Sequence, residues 1–126
     1  MRSRVLVVDD DPDILDAICD ILDAEGYDVA RARHGAEALE QVMRRRPDLI
    51  LLDLMMPVMD GPTFARELRS RRLDGIPIIV ISAEGNPARA ASVQARRYLA
   101  KPFDIEVLLA QVADLVHGAG ADAASP

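Results

Sequence analysis

Four short apolar runs in this chain each end on a residue capable of chemistry. Val5-Leu6-Val7-Val8 leads into Asp9 and Asp10, and Leu49-Ile50-Leu51-Leu52 into Asp53. Ile78-Ile79-Val80-Ile81 leads into Ser82, and Tyr98-Leu99-Ala100 into Lys101, which precedes Pro102. Runs of this length, rich in Val, Ile and Leu, read as strands buried on both faces of a parallel sheet. In open α/β sheets, ligands bind at the carboxyl ends of the strands. Three carboxylates, a hydroxyl and an ammonium are therefore expected to converge on one edge.

Helical periodicity fills the gaps between the runs. The first strand, Arg4 to Val8, is followed by Asp11-Pro12, an N-cap with proline at the first helical position. Ile14, Leu15, Ile18, Ile21 and Leu22 then repeat at helical spacing, and Gly26 takes the C′ position. Tyr27 to Arg31 reads as a second strand. Gly35 to Arg45 reads as a second helix with Ala38, Leu39, Val42 and Met43 inward. Pro47-Asp48 breaks it before the third strand, and a loop from Leu54 to Asp60 leads to a third helix, Gly61 to Arg71. Pro77 opens the fourth strand, and Asn86-Pro87 starts a short fourth helix reaching Val93. Arg97 to Ala100 is the fifth strand. Asp104 is expected to cap a last helix, Ile105 to Val116, with Val107, Leu108, Val112, Leu115 and Val116 inward. Strand and helix alternate five times, which implies right-handed βαβ units and a doubly wound five-stranded parallel sheet. Residues 1–117 form one domain, and 118–126 a flexible tail rich in Ala and Gly.

Composition narrows the function. At 126 residues the chain fits a single domain. Its net charge of −6 argues against direct nucleic-acid binding, which demands a basic face. The one dense basic run, Arg44-Arg45-Arg46, falls at a helix end, where cations complement the dipole. Cys19 is the only cysteine and reads as a small core residue. No signal peptide and no long apolar run is present, so the expected location is cytoplasmic with no membrane contact. His34 and His117 read as surface residues.

Lys101 is the only lysine among 15 basic residues. Where a charge alone would do, this chain uses arginine. A compact ammonium on a flexible stem differs from a wide planar guanidinium, and its place at a strand end favours a specific role. Clustered carboxylates bind hard divalent cations through oxygen. A lysine and a hydroxyl beside such a cation suit a phosphoryl group.

Five stretches, VLVVDDDPDIL, GYDVARARHGAEAL, PDLILLDLMMPVMDG, PIIVISA and YLAKPFD, resemble the receiver domain of two-component response regulators. The resemblance runs from residue 4 to about 117. It implies a flavodoxin-like (βα)5 fold; with only a short tail after the matched stretches, a stand-alone, single-domain receiver is the expectation. It implies that Asp53 accepts a phosphoryl group from a histidine kinase or a histidine phosphotransfer protein. Asp10 would bind Mg²⁺ (or Mn²⁺) directly and Asp9 through water, with Asp53 and the Met55 carbonyl completing the protein ligands. Ser82 would bond a phosphoryl oxygen, Lys101 would pair with the phosphoryl group, and Tyr98 would sit at an aromatic switch position that responds to Ser82. The partners implied are the kinase and a downstream protein target, with the receiver a monomer or weak dimer.

The chain departs from that pattern between Ser82 and Lys101, where it is a few residues shorter. The fourth helix should lose about a turn. Gln94-Ala95 replaces the usual Gly-Ala before the fifth strand, removing a glycine that tolerates positive φ. The face built by the fourth helix, fifth strand and last helix, which often carries the output, is expected to be atypical. Met55 and Glu84, two residues beyond Asp53 and Ser82, stand where the family tunes the acyl phosphate's lifetime.

Three other readings are weaker. An aspartate-nucleophile phosphatase needs a second Asp two residues after the first, and Met55 stands there. A nucleotide or flavin module needs a Gly-rich turn after the first strand, where this chain has Asp-Asp-Asp-Pro-Asp. A receiver fragment of a longer regulator, with its output domain missing, shares every site residue with the stand-alone reading.

Overall fold

A computed structural model describes residues 2–53, 61–82 and 95–118. Five strands, β1 (Arg4–Val8), β2 (Asp28–Ala32), β3 (Leu49–Asp53), β4 (Ile78–Ser82) and β5 (Arg97–Ala100), form one sheet in the order β2-β1-β3-β4-β5. Every pairing is parallel. This order is the flavodoxin-like one, with its switch point between β1 and β3. The described helices are α1 (Pro12–Ala24), α2 (Gly35–Arg44), α3 (Gly61–Ser70) and α4 (Ile105–Ala113), and a π-helical turn, Asp114–Gly118, extends α4. The helix expected at 86–93 lies outside the described residues, as do Gln94 and the tail from 119.

Side chains alternate across each strand, so the sheet sorts them into two layers. Leu6, Val8, Ile50, Leu52, Ile78 and Val80 face α2 and α3, meeting Ala38, Val42, Phe64 and Leu68. Val5, Val7, Leu49, Leu51, Ile79 and Ile81 face α1 and α4, meeting Leu15, Ile18, Leu22, Leu108 and Val112. Nearly all of these are fully buried. β3 and β4 are buried along their whole length, which is why they read as unbroken apolar runs.

Local chemistry sets the helix ends. Asp11 caps α1, its carboxylate accepting from the Asp13 and Ile14 amides, with Pro12 inside the first turn. Gly26 follows α1 with φ of 93°, a left-handed conformation that glycine adopts freely. At α2 the cap is His34, whose Nδ1 accepts from the Glu37 amide at 3.2 Å, while the Glu37 carboxylate accepts from the Arg33 amide. His34 is thus a capping residue rather than a bystander. Asp104 stands at the N-cap of α4 but makes no side-chain capping bond. Cys19 is buried, as expected of a core residue, and burial pushes its thiol pKa up.

Two inward expectations fail. Met43 is 59% exposed and Val107 is 43% exposed. Each lies one residue from a buried partner, Val42 and Leu108, and occupies the border of a helix face that turns away from the sheet. The last helix also ends its α-helical part at Ala113, three residues before the expected stop. Its π-helical turn carries His117, whose ring stacks on Tyr27 with centroids 6.2 Å apart.

Candidate functional site

The crest of the sheet is where β1, β3, β4 and β5 all end. Alternation carries Asp9 and Asp53 onto the α1/α4 side of their strands, behind Val7 and Leu51. It carries Ser82 onto the α2/α3 side, behind Val80. Tyr98 pairs in register with Val80 and packs against the same α2/α3 layer. Ser82 and Tyr98 therefore share a face, with Ser82 one step nearer the crest.

Asp9 and Ser82 are almost fully buried and Asp53 is 4% exposed, the only buried polar or charged side chains among the described residues. The backbone fixes them: the Asp9 amide donates to the Ala32 carbonyl, and the Lys101 amide donates to the Ser82 carbonyl at 2.9 Å. The Lys101–Pro102 peptide is cis. Lys101 reaches back over the crest, its Nζ donating to Asp9 Oδ2 at 3.0 Å and to Asp53 Oδ2 at 3.4 Å. These contacts join residues 92 and 48 apart in sequence. Burial pulls the Lys101 pKa down, but the hydrogen bond to Asp9 and the charges of Asp53 and Asp9 outweigh it, so the ammonium is held above its ordinary value.

Asp9 Oδ1 also accepts from the Asp11 amide at 3.0 Å, which pins its carboxylate. Asp10 is exposed, and carboxylate oxygens of Asp9, Asp10 and Asp53 lie within 4.8 Å of one another. Three acids at that spacing against one ammonium leave net negative charge, the condition a hard divalent cation satisfies. The oxygen-only donor set fits Mg²⁺ better than a softer metal. Met55 and Glu84 lie outside the described residues. Tyr98 is half-buried and its hydroxyl oxygen is buried without a hydrogen-bond partner among the described residues.

A buried acid on the central strand, a buried acid on its neighbour, an exposed acid beside it and one lysine over them make a site for an anion held with a cation. The family model for the response regulator receiver domain matches residues 5–113. The chain belongs to the response regulator receiver family. Relatives include response regulator MprA of Mycobacterium leprae, 43% identical over 90% of this chain and 50% of that protein. DNA-binding response regulator MtrA of Mycolicibacterium smegmatis is 40% identical over 89% of this chain and 50% of its own length. This receiver thus spans about half the length of the curated relatives it matches. Among solved structures, the chemotaxis response regulator CheY4 of Vibrio cholerae superposes with a TM-score of 0.84 at 33% identity, over 91% of this receiver and 99% of that chain. The Francisella response regulator 1452 receiver domain gives 0.86 at 31% identity, over 94% and 99%. No helix among the described residues is long and apolar enough to cross a membrane.

Sequence reasoning missed the His34 cap and the exposure of Met43. A histidine followed three residues later by Glu37 was the available signal for the first.

Proposed function

We propose that this receiver accepts a phosphoryl group on Asp53 from a phosphohistidine of a sensor kinase or phosphotransfer protein. The observation that carries the reading is Lys101 Nζ bridging Asp9 and Asp53 beside the exposed Asp10. An Asp53 carboxylate oxygen forms the new P–O bond as the P–N bond of the donor breaks. The imidazole leaves with the electron pair and takes up a proton from solvent. Lys101 stands where charge on the phosphoryl oxygens needs compensation. Asp10, Asp53, the Met55 carbonyl and, through water, Asp9 are the groups that would hold Mg²⁺ or Mn²⁺. When bound, the cation neutralises phosphoryl charge and orients the group. The chain acts on its own carboxylate and is a signalling domain rather than a turnover enzyme.

The added charge of about −1.5 to −2 then acts on its surroundings. Ser82 bonds a phosphoryl oxygen, and its movement opens space on the α2/α3 face for Tyr98 to enter. The buried Tyr98 hydroxyl has no hydrogen-bond partner among the described residues, which supports that reading, because a buried unpaired donor favours rearrangement. Met55 and Glu84 set how fast the acyl phosphate hydrolyses. Residues 1–117 are the receiver and 118–126 its tail, working in the cytoplasm on a downstream protein, as a monomer or weak dimer. The twofold greater length of MprA and MtrA supports a second reading, in which this receiver governs an attached output domain.

Incubation with a small phosphodonor and Mg²⁺, read by intact mass, tests the assignment. One phosphoryl adduct is expected, absent in Asp53→Ala and absent with chelator. An adduct that persists in Asp53→Ala overturns it.

A further inference from the structure

The corner where α2 and α3 end carries features that phosphoacceptance does not use. Ala36, Leu39, Glu40, Met43 and Arg44 follow one another at helical spacing and make one stripe along α2. With Arg71 they line a surface groove of about 360 Å³. Met43, 59% exposed, is the most exposed large hydrophobic side chain among the described residues.

Cations ring the lower end of this groove. Arg44, Arg46 and Arg72 are exposed and make no ion pair among the described residues. Arg71, just past the end of α3, pairs with Glu67 of that helix. The Arg46 guanidinium lies 3.4 Å from the Cβ position of Gly75, so it reaches from the end of α2 to the connection after α3. Arg72 adds a second kind of observation. The Leu73 amide donates to the Leu68 carbonyl and the Arg72 amide to the Arg69 carbonyl, which places Arg72 at the C′ position of a Schellman turn. Its φ is 59°, a conformation in which glycine is at ease and an L side chain is strained. Strain retained by a residue whose side chain has no partner among the described residues points to a use outside the fold.

We infer that this corner docks an acidic amphipathic helix of a partner protein. Its apolar side chains lie on Ala36, Leu39 and Met43, and its carboxylates pair with Arg44, Arg46, Arg71 and Arg72. The stripe from Ala36 to Arg44 spans about 12 Å, which matches two to three helical turns. A nucleic acid fits less well, since the groove offers no aromatic stacking surface and the chain's net charge is −6. The groove accounts for the exposure of Met43, because a flexible thioether adapts to an apolar partner.

The test titrates the full chain into a fluorescently labelled helical peptide of about 18 residues with Leu at i, i+3, i+4 and i+7 and Glu on the flanks, read by anisotropy. Saturable binding that weakens with salt is expected, with NMR shifts confined to residues 36–46 and 69–75. Arg44→Glu with Arg72→Glu should weaken it at least about tenfold, and Met43→Ser several-fold. Arg72→Gly is the informative variant: its melting temperature should rise while peptide binding falls. Phosphoryl uptake by Asp53 should be unchanged in all of these. Equal binding of polyglutamate, a single-stranded polynucleotide or anionic phospholipid vesicles overturns the inference. So does self-association through this corner, binding indifferent to the variants, or no binding at all.

Discussion

Asp53→Asn should stabilise the fold, although it removes the group proposed to receive phosphate. Carboxylate oxygens of Asp9, Asp10 and Asp53 lie within 4.8 Å of one another. At an effective dielectric of about 20, each pair repels by roughly 3.5 kcal/mol or more. Lys101 attracts Asp53 across 3.4 Å, about 5 kcal/mol on the same scale. Among the described charges, neutralising Asp53 removes two repulsions and one attraction, a relief of about 2 kcal/mol. Screening around the exposed Asp10 lowers that figure, and release of a buried charge from its desolvation cost raises it. A net gain of about 1–3 kcal/mol is expected in chelator, seen as a melting temperature several degrees higher. Added Mg²⁺ should stabilise the wild type more than the variant, narrowing the gap. Thermal melts of both proteins with chelator and with a Mg²⁺ series measure this directly. A variant no more stable than wild type in chelator, or a gap indifferent to Mg²⁺, refutes the electrostatic account of the crest.

Other outcomes follow from the same geometry. Tyr98→Phe deletes a buried hydroxyl without a partner among the described residues and should raise stability by about 1 kcal/mol, read from urea midpoints; a loss of that size would reveal a bond to that hydroxyl. Phe64 is fully buried between α3 and the sheet, and Phe64→Ala should cost about 3–5 kcal/mol in the same assay. The Lys101 pKa is raised in the fold, so its contribution is complete below the unfolded lysine pKa and is lost as pH climbs through the elevated value. The alkaline fall in wild-type stability should therefore contain a component missing in Lys101→Met, and identical alkaline profiles would contradict the pairing.

Much of this architecture could be read from residue order. Strand positions were legible because β3 and β4 are covered on both faces, which demands uninterrupted apolar residues. Asp11-Pro12 and Gly26 announced the ends of α1 through capping and backbone chemistry. The convergence of Asp9, Asp53 and Lys101 followed from placing each at a strand's carboxyl end in a parallel sheet. Other features were not legible. Whether Met43 and Val107 face inward depends on how each helix rolls on the sheet, a rotation of tens of degrees that hydrophobicity alone does not set. Asp104 had the right residue type for a cap and stands at the N-cap position, yet its side chain makes no capping bond. The switch of α4 into a π-helical turn after Ala113 has no local sequence signal, and it coincides with Arg97 of β5 pairing with Asp114.

Strict alternation of side chains also governs how this domain can vary. Asp53 emerges toward α1 and α4, whereas Ser82 emerges toward α2 and α3, although both end adjacent strands. One residue inserted between Ile78 and Ser82 would exchange the two layers of β4 and send the hydroxyl to the opposite side, stranding Tyr98. Strand length here is a parity constraint. Connections between elements can grow or shrink across evolution, but the strands themselves tolerate change only in steps of two.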